Sequence, residues 1–308
     1  MEFTFIKLVI ALRLEEDIAD PLALFGLRSD FEPAFRDAVA CTLPACTGCP
    51  SVADCPYQQN FARALSCDPA ALRRFQKPSL PFVFDIPRLP LPPNRGVTVE
   101  LGLTLLGTAS RHVPVYLAAL RNLLRGNGLH GRGALRPVRV ESIGDSGTRQ
   151  CLQEGDGELF LKETGFLSFQ GLQQAALATP QTLALNFDTP LRLVHEGRPL
   201  RQLSFSSLAR PLMRRTSSLA YYYGGLELDY DFRWLAREAE LVDSMTTGLR
   251  WVDWGGEVPG SRASGLVGRA VFQGDLADFQ PFLLFGEHVH LGKGASYGLG
   301  AYRIEKIA

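Results

Sequence analysis

Two stretches of this 308-residue chain carry the same succession of hydrophobic periods, and that repetition restricts the fold more than any single motif does. In the first stretch, Glu2–Leu14 alternates as a strand does, and Phe31, Phe35 and Val39 then recur at helical spacing. Ser29-Asp30 is the expected N-cap of that helix, which should span about residues 30–42. Residues 43–78 are irregular. Strands are expected at Pro81–Asp85 and Val97–Leu106. A helix follows with Val113, Tyr116, Leu117, Leu120, Leu123 and Leu124 on one face, and Arg136–Ser142 closes the unit as a strand. This order is β-α-β-β-α-β, the ferredoxin-like (RRM-like) plan.

The second stretch repeats it. Strands are expected at Leu183–Val194, Gly248–Trp254, Ser264–Phe272 and Tyr297–Ile304. Helices are expected at Ser204–Tyr222, interrupted at Pro211 and ended by Gly224-Gly225, and at Asp275–Phe285. The sequence therefore predicts an α+β chain of tandem ferredoxin-like domains. Residues 1–145 form the first, with a cysteine-rich insertion at 41–67. Residues 146–182 connect, with a strand or hairpin at Glu158–Lys162, and residues 183–308 form the second.

Net charge is zero, so no global field advertises a polyanionic partner. The local distribution differs. Between Ala118 and Val140 stand Arg121, Arg125, Arg132, Arg136 and Arg139 without an acid, and Pro190–Ala220 holds six arginines against Glu196. Grouped positive charge suits a polyanion track, although any one of these arginines is as readily a solvated face. No stretch approaches the roughly twenty apolar residues that cross a bilayer. The N-terminus reads as a strand rather than a signal peptide, and the expected location is the reducing cytoplasm.

The last motif is HLGKGASYGLGAYRI, His290–Ile304, with a glycine-rich loop at 292–300. It matches neither a P-loop, whose lysine follows the second glycine, nor a dinucleotide fingerprint, and it precedes a final strand rather than a helix. Together with several other stretches it resembles the CRISPR repeat endoribonucleases of the RAMP superfamily, which process precursor CRISPR RNA. Those stretches are CxxC followed by CPY (Cys46–Tyr57), PFVF (81–84), LTLLGTA (103–109), the helix HVPVYLAALRNLL with its sequel GNGLHGRGALR, TPLRL (189–193), LARPLMRRTSSLAYYYGG (208–225), SGLVGRAVFQGDL (264–276) and EHVHLGKGASYGLGAY (287–302).

The resemblance implies two ferredoxin-like domains facing each other across a cleft. It also implies metal-independent cleavage, in which the ribose 2′-hydroxyl attacks the adjacent phosphate to leave a 2′,3′-cyclic phosphate. The implied partners are repeat RNA and crRNA, and CRISPR effector subunits. The chain departs from the pattern in having no histidine before His112, and residues 251–262 lack the Arg-Tyr-Ser motif of many relatives. A non-catalytic RAMP subunit that holds RNA in an effector complex is the alternative reading.

Within that frame, His290 is the first acid/base candidate, because imidazole titrates near neutrality. Its alternative task is to bond a loop carbonyl and order the turn. His288 and His290 are expected to alternate along a strand. His112 is the second candidate, at a helix start, and Lys293 is the expected cation beside the phosphate. RNA contacts are expected from Arg121, Arg125, Arg132, Arg136, Arg210, Arg214, Arg215, Ser217 and Tyr222. In the loop they are expected from Gly292, Lys293, Gly294, Ser296 and Gly298. Finally, Cys41, Cys46, Cys49 and Cys55 form a CxxC with two loosely spaced partners. A structural zinc ion is the metal reading, an iron–sulfur cluster is its less favoured variant, and free thiols are the plain alternative. No cofactor is expected for catalysis. A metal enzyme built on this cluster ranks last, since four cysteine ligands leave no open position.

Overall fold

The computed structural model describes residues 2–306, apart from 44, 47, 52–53, 70, 72–76, 90–93, 126–128, 130–133, 176–180 and 256–261. The first unit contains β1 (Thr4–Leu14), α1 (Leu27–Ala38), α2 (Pro56–Phe61), β2 (Phe82–Asp85), β3 (Thr98–Leu106), α3 (Val113–Arg125) and β4 (Leu135–Ile143). β5 (Arg149–Glu154), β6 (Leu167–Ser168) and α4 (Phe169–Ala175) follow. The second unit contains β7 (Thr182–Leu191), β8 (Val194–His195), β9 (Arg198–Pro199), α5 (Phe205–Leu219), α6 (Phe232–Leu241), β10 (Asp243–Trp254), β11 (Ala263–Gln273), α7 (Gln280–Val289) and β12 (Tyr302–Lys306). The first sheet runs β2-β3-β1-β4-β5, with β6 paired to β1, and the second runs β10-β11-β7-β12. All these pairings are antiparallel. In both sheets the first strand of the unit is central and the loop-crossing order is that of a ferredoxin-like domain.

The period-2 pattern of β1 explains its central place. Ile6, Leu8, Ile10, Leu12 and Leu14 enter the core beneath α1 and α3, while Lys7 and Val9 look into the space between the two units. Phe3 and Phe5 break this division. They leave the first core and pack against Phe285 of α7, with ring centroids 5.6 and 5.5 Å apart.

The exchange is reciprocal. Leu299 and Ala263 of the second unit belong to the first core. The Phe84 N–H donates to the Ser296 carbonyl at 3.0 Å, and Phe84 bridges to Tyr297 in parallel. A third tie comes from the tyrosine triplet, which continues α5 as a π-turn over Ala220–Gly224. The Tyr222 hydroxyl accepts from the Ser66 N–H at 3.2 Å, the Tyr221 hydroxyl meets Ser66 Oγ at 2.6 Å, and Tyr223 donates to the Ser79 carbonyl at 2.8 Å.

Several local expectations are corrected. α1 begins at Leu27 with Gly26 as its N-cap, and Ser29 lies inside it, donating to the Gly26 carbonyl. Burial of Leu27 extends the helix past the polar pair. Pro211 does not interrupt α5, because buried Leu208, Leu212 and Met213 hold the helix across the lost hydrogen bond. The segment after residue 145 is not only a connection. β5, rather than Glu158–Lys162, adds an edge to the first sheet, and α4 packs on α7 through Phe169 and Phe285. α6 and the β8–β9 hairpin were not foreseen. His288 lies in α7 and His290 caps it, and the last strand starts at Tyr302 instead of Tyr297.

Among the described residues no helix is long and apolar enough to cross a membrane.

Since Phe285 is fully buried and shared by both units, Phe285→Ala should cost about 3–5 kcal/mol. Urea unfolding followed by tryptophan fluorescence and by circular dichroism should show one shifted transition. Two separated transitions in the parent would mean that the seam does not couple the units.

Candidate nucleic-acid interface

The glycine-rich loop docks on the segment that leaves β7. Lys293 N–H donates to the Arg192 carbonyl at 2.9 Å, and Gly300 N–H donates to that of Pro190 at 3.1 Å. Thr189 Oγ1 donates to the Gly298 carbonyl at 2.8 Å and accepts from the Ala301 N–H at 2.9 Å. The TPLRL stretch is thus the seat of the loop. Glycine is required where the two segments meet. Gly292 has φ +88°, and a Cβ there would stand 2.7 Å from the Arg192 carbonyl oxygen. Gly300 has φ +66°, and its Cβ would overlap the Leu291 carbonyl.

This docking divides the loop into two parts. Gly292, Lys293 and Gly294 form an outer tip on which Lys293 is exposed. Ser296 and Gly298 are turned inward: Ser296 is buried and Gly298 packs on Ile86. Both therefore serve the seam between the units, not a surface open to RNA.

Two grooves meet at the tip. One, of about 460 Å³, is lined by Arg28 of α1, Arg192, Asp253, Trp254, Arg262, Ser264 and Lys293. The other, of about 670 Å³, has Arg192, His195, Ser206, Ser207, Arg210, Arg214 and Lys293 on its walls and no carboxylate. Arg192 and Lys293 stand in both and form the ridge between them. The Arg192 guanidinium donates to Ser264 Oγ at 2.6 Å, yet its Nε is buried with no acceptor among the described residues. A buried donor without an acceptor in a groove rich in cations marks a place for an anionic oxygen.

A third cavity, of about 840 Å³, is the cleft between the units. It holds Lys7, Asp85, Glu100, Arg149, Asp188, Glu287, His288, His290 and Arg303. Its charges largely neutralise one another. Arg149 clamps Glu100 at 2.9 Å, and Arg303 meets Asp188 at 3.0 Å. The free cations therefore flank the loop tip, and the cleft itself is balanced.

The expected site residues scatter accordingly. Arg121 donates to Gln153, and Arg136 pairs with Glu15 at 3.2 Å, so both serve their own sheet. Arg125 ends α3 but its side chain lies outside the described residues, as does all of Arg132. Arg210 lines the second groove while pairing with Glu240 and the Ala236 carbonyl of α6, and Arg214 is exposed beside it. Arg215 turns the other way. Its Nε donates to the Val289 carbonyl at 3.0 Å, capping the negative end of α7, and burial pushes its guanidinium down to about 10. Ser217 is buried, and Tyr222 is buried on Ser66.

Neither favoured histidine reaches the grooves. His112 bonds Gln59 at 2.9 Å between α2 and α3, away from the loop. His290 is 2% exposed and holds a left-handed φ of +53° as the α7 cap. Burial above all, with Arg215 and Lys7 nearby, pushes its imidazole down to about 4 against the opposing pull of Asp85. It is neutral near pH 7 and does not titrate near neutrality. Its alternative task of ordering the turn fits this place. The residues that sequence reasoning missed are Arg28, Arg192, Arg262 and His195. In the sequence Arg192 is one member of an arginine-rich stretch, and His195 stands in the loop HEGRPL with no pattern to single it out.

His288 is pushed down to about 3 by burial, Lys7 and His290. Both imidazoles are neutral in the folded chain and ordinary in the unfolded one. Their contribution to stability is therefore complete above about pH 6.5 and is lost as the pH falls toward about 4. Between pH 7 and 5 the pair should cost about 2–4 kcal/mol. A melting-temperature series in which His288→Gln and His290→Gln each flatten the acid slope checks this.

Residues 185–302 match the family described as CRISPR-associated endoribonuclease Cas6, and residues 3–164 match a family described as an N-terminal domain, AF_1859_N. A search of curated protein sequences finds no match. Among solved structures, Thermus thermophilus Cas6 (TTHB231) is 16% identical with a TM-score of 0.56, covering 99% of this chain and 100% of its own. The Cas6 (TTHA0078) product complex is 19% identical with a TM-score of 0.55, covering 98% and 99%. A chain of the partial Cas6-RT-Cas1–Cas2 complex is 12% identical with a TM-score of 0.57, and the match covers 99% of this chain but 46% of that one. At these identities the structures share the fold, two ferredoxin-like units in tandem. The family match falls on the unit that carries the glycine-rich loop: residues 185–302 match the CRISPR-associated endoribonuclease Cas6 family, and the whole chain shares the fold of the solved Cas6 structures.

Proposed function

We propose that this chain cuts precursor CRISPR RNA within the repeat by metal-independent transesterification, in the cytoplasm, and that the RNA backbone crosses the ridge formed by Arg192 and Lys293. The observation that carries this reading is the buried, unpartnered Arg192 Nε beside the exposed Lys293, where two cation-lined grooves join. The grooves continue the track in both directions, through Arg28 and Arg262 on one side and Arg214 on the other.

In the reaction the 2′-hydroxyl oxygen bonds to phosphorus and the bond from phosphorus to the 5′-oxygen breaks. A base removes the 2′ proton and an acid protonates the leaving 5′-oxygen. The products are a 2′,3′-cyclic phosphate and a 5′-hydroxyl. Lys293 and Arg192 stabilise the charge that builds on the phosphoryl oxygens. Among the described residues His195 is the imidazole that lines either groove, exposed on the β8–β9 hairpin. It is the acid/base group of this reading, in place of His290 and His112.

The experiment incubates the protein with repeat RNA in EDTA and maps the RNA ends. Cyclic-phosphate ends at one position in the repeat are expected. RNA bound but intact at any enzyme excess would leave a holding subunit of a CRISPR effector complex. Lys293→Ala and Arg192→Ala should weaken binding across sequences, each lowering the salt slope of log K by about 0.7. His195→Ala should slow cleavage about 10²-fold or more while leaving affinity nearly unchanged. An unchanged rate in His195→Ala would remove that assignment.

A further inference from the structure

Four of the six cysteines, Cys41, Cys46, Cys49 and Cys55, fall within fifteen residues between α1 and α2. RNA cleavage gives them no task. All four are half-buried free thiols. The outer two are fixed by helices. Cys41 follows α1, and its N–H bonds back to the Arg36 carbonyl at 3.0 Å. Cys55 is the N-cap residue of α2, and its carbonyl accepts from the Gln59 N–H at 3.1 Å. The two helices are locked together by Phe31, Phe35 and Phe61, whose rings pack tilted and edge-on in a cluster with Tyr116 of α3. Between these anchors, Cys49 N–H donates to the Cys46 carbonyl at 3.2 Å, the tight reversal that brings a CxxC pair to one metal.

We propose that Cys41, Cys46, Cys49 and Cys55 bind a zinc ion that ties α1 to α2. Among the described residues no three potential ligands already stand at metal-binding separation, so the loop must close on the ion as it binds. Each thiol gives up its proton as its sulfur bonds the metal. The resulting centre carries two negative charges. Arg36 stands ready to balance them: it donates to the Leu43 carbonyl inside the loop and lies over the Tyr57 ring at 5.0 Å. An all-sulfur set selects zinc over magnesium or calcium and leaves no open coordination position. The role is structural. Arg28 and Arg36 lie on the same helix, so the ion would steady the wall of the RNA groove that Arg28 supplies.

The test uses the full chain, stripped of metal under reducing conditions and titrated with cobalt(II), then zinc(II). About one cobalt per chain is expected, with thiolate charge-transfer absorption and the visible bands of a tetrahedral sulfur site, displaced by zinc. Zinc should raise the melting temperature and shield four thiols from alkylation, leaving Cys67 and Cys151 reactive. Cys46→Ser should weaken metal binding about 100-fold or more, whereas Cys67→Ser/Cys151→Ser should keep it. No tetrahedral cobalt spectrum in the parent overturns the proposal, as does iron with inorganic sulfide in anaerobically purified protein, or equal reactivity of all six thiols with zinc present. If Cys46→Ser does not fold, the cobalt spectrum and alkylation pattern of the parent decide alone. Cleavage in EDTA is a separate readout, so either reading can fail without the other.

Discussion

The structure depends on an exchange of apolar side chains between its two halves. Phe3 and Phe5, at the N-terminal end of β1, turn away from the first core and fill the core around Phe285, while Tyr297 packs back onto β2 and Leu299 enters the first core. Neither core is complete without residues of the other half. Two ferredoxin-like units joined only by a linker would be free to move relative to one another. Here the orientation is fixed by close-packed aromatic rings, a backbone hydrogen bond and the three tyrosines after α5. The geometry of any site between the units follows from that packing.

The glycine-rich loop performs two tasks that its sequence does not separate. Its inner part is a structural clasp, whereas its tip carries Lys293 to a ridge shared with Arg192. The seat on Thr189 to Arg192 makes both tasks compatible, since the backbone of one segment satisfies the backbone of the other. Charge then separates the cavities. In the cleft, arginines meet carboxylates and are spent on one another. At the tip, cations outnumber acids in one groove and stand without a carboxylate in the other, so attraction for a polyanion remains.

The histidines show how context decides chemistry. His290 sits beside the loop as the natural acid/base candidate, but burial above all, with the cations Arg215 and Lys7 nearby, holds it neutral. Its left-handed backbone ends α7 and turns the chain into the loop, and its position serves the clasp. His195, which no periodicity singles out, is placed at the groove by a hairpin of four paired residues.

The sequence by itself determined the class of fold. Alternating and helical periods, repeated twice in the same order, leave few ways to bury two apolar faces, and β1, β3, β7, α3 and α5 follow from them nearly residue for residue. It also marked the tip lysine and the cysteine cluster, because glycine density and CxxC spacing are local signals. Only the tertiary structure decided which arginines are free. Arg136 looks no different in sequence from Arg214, and what separates them is a carboxylate distant along the chain, Glu15. Sequence order records a charge, while the packing of remote elements decides whether that charge is already neutralised.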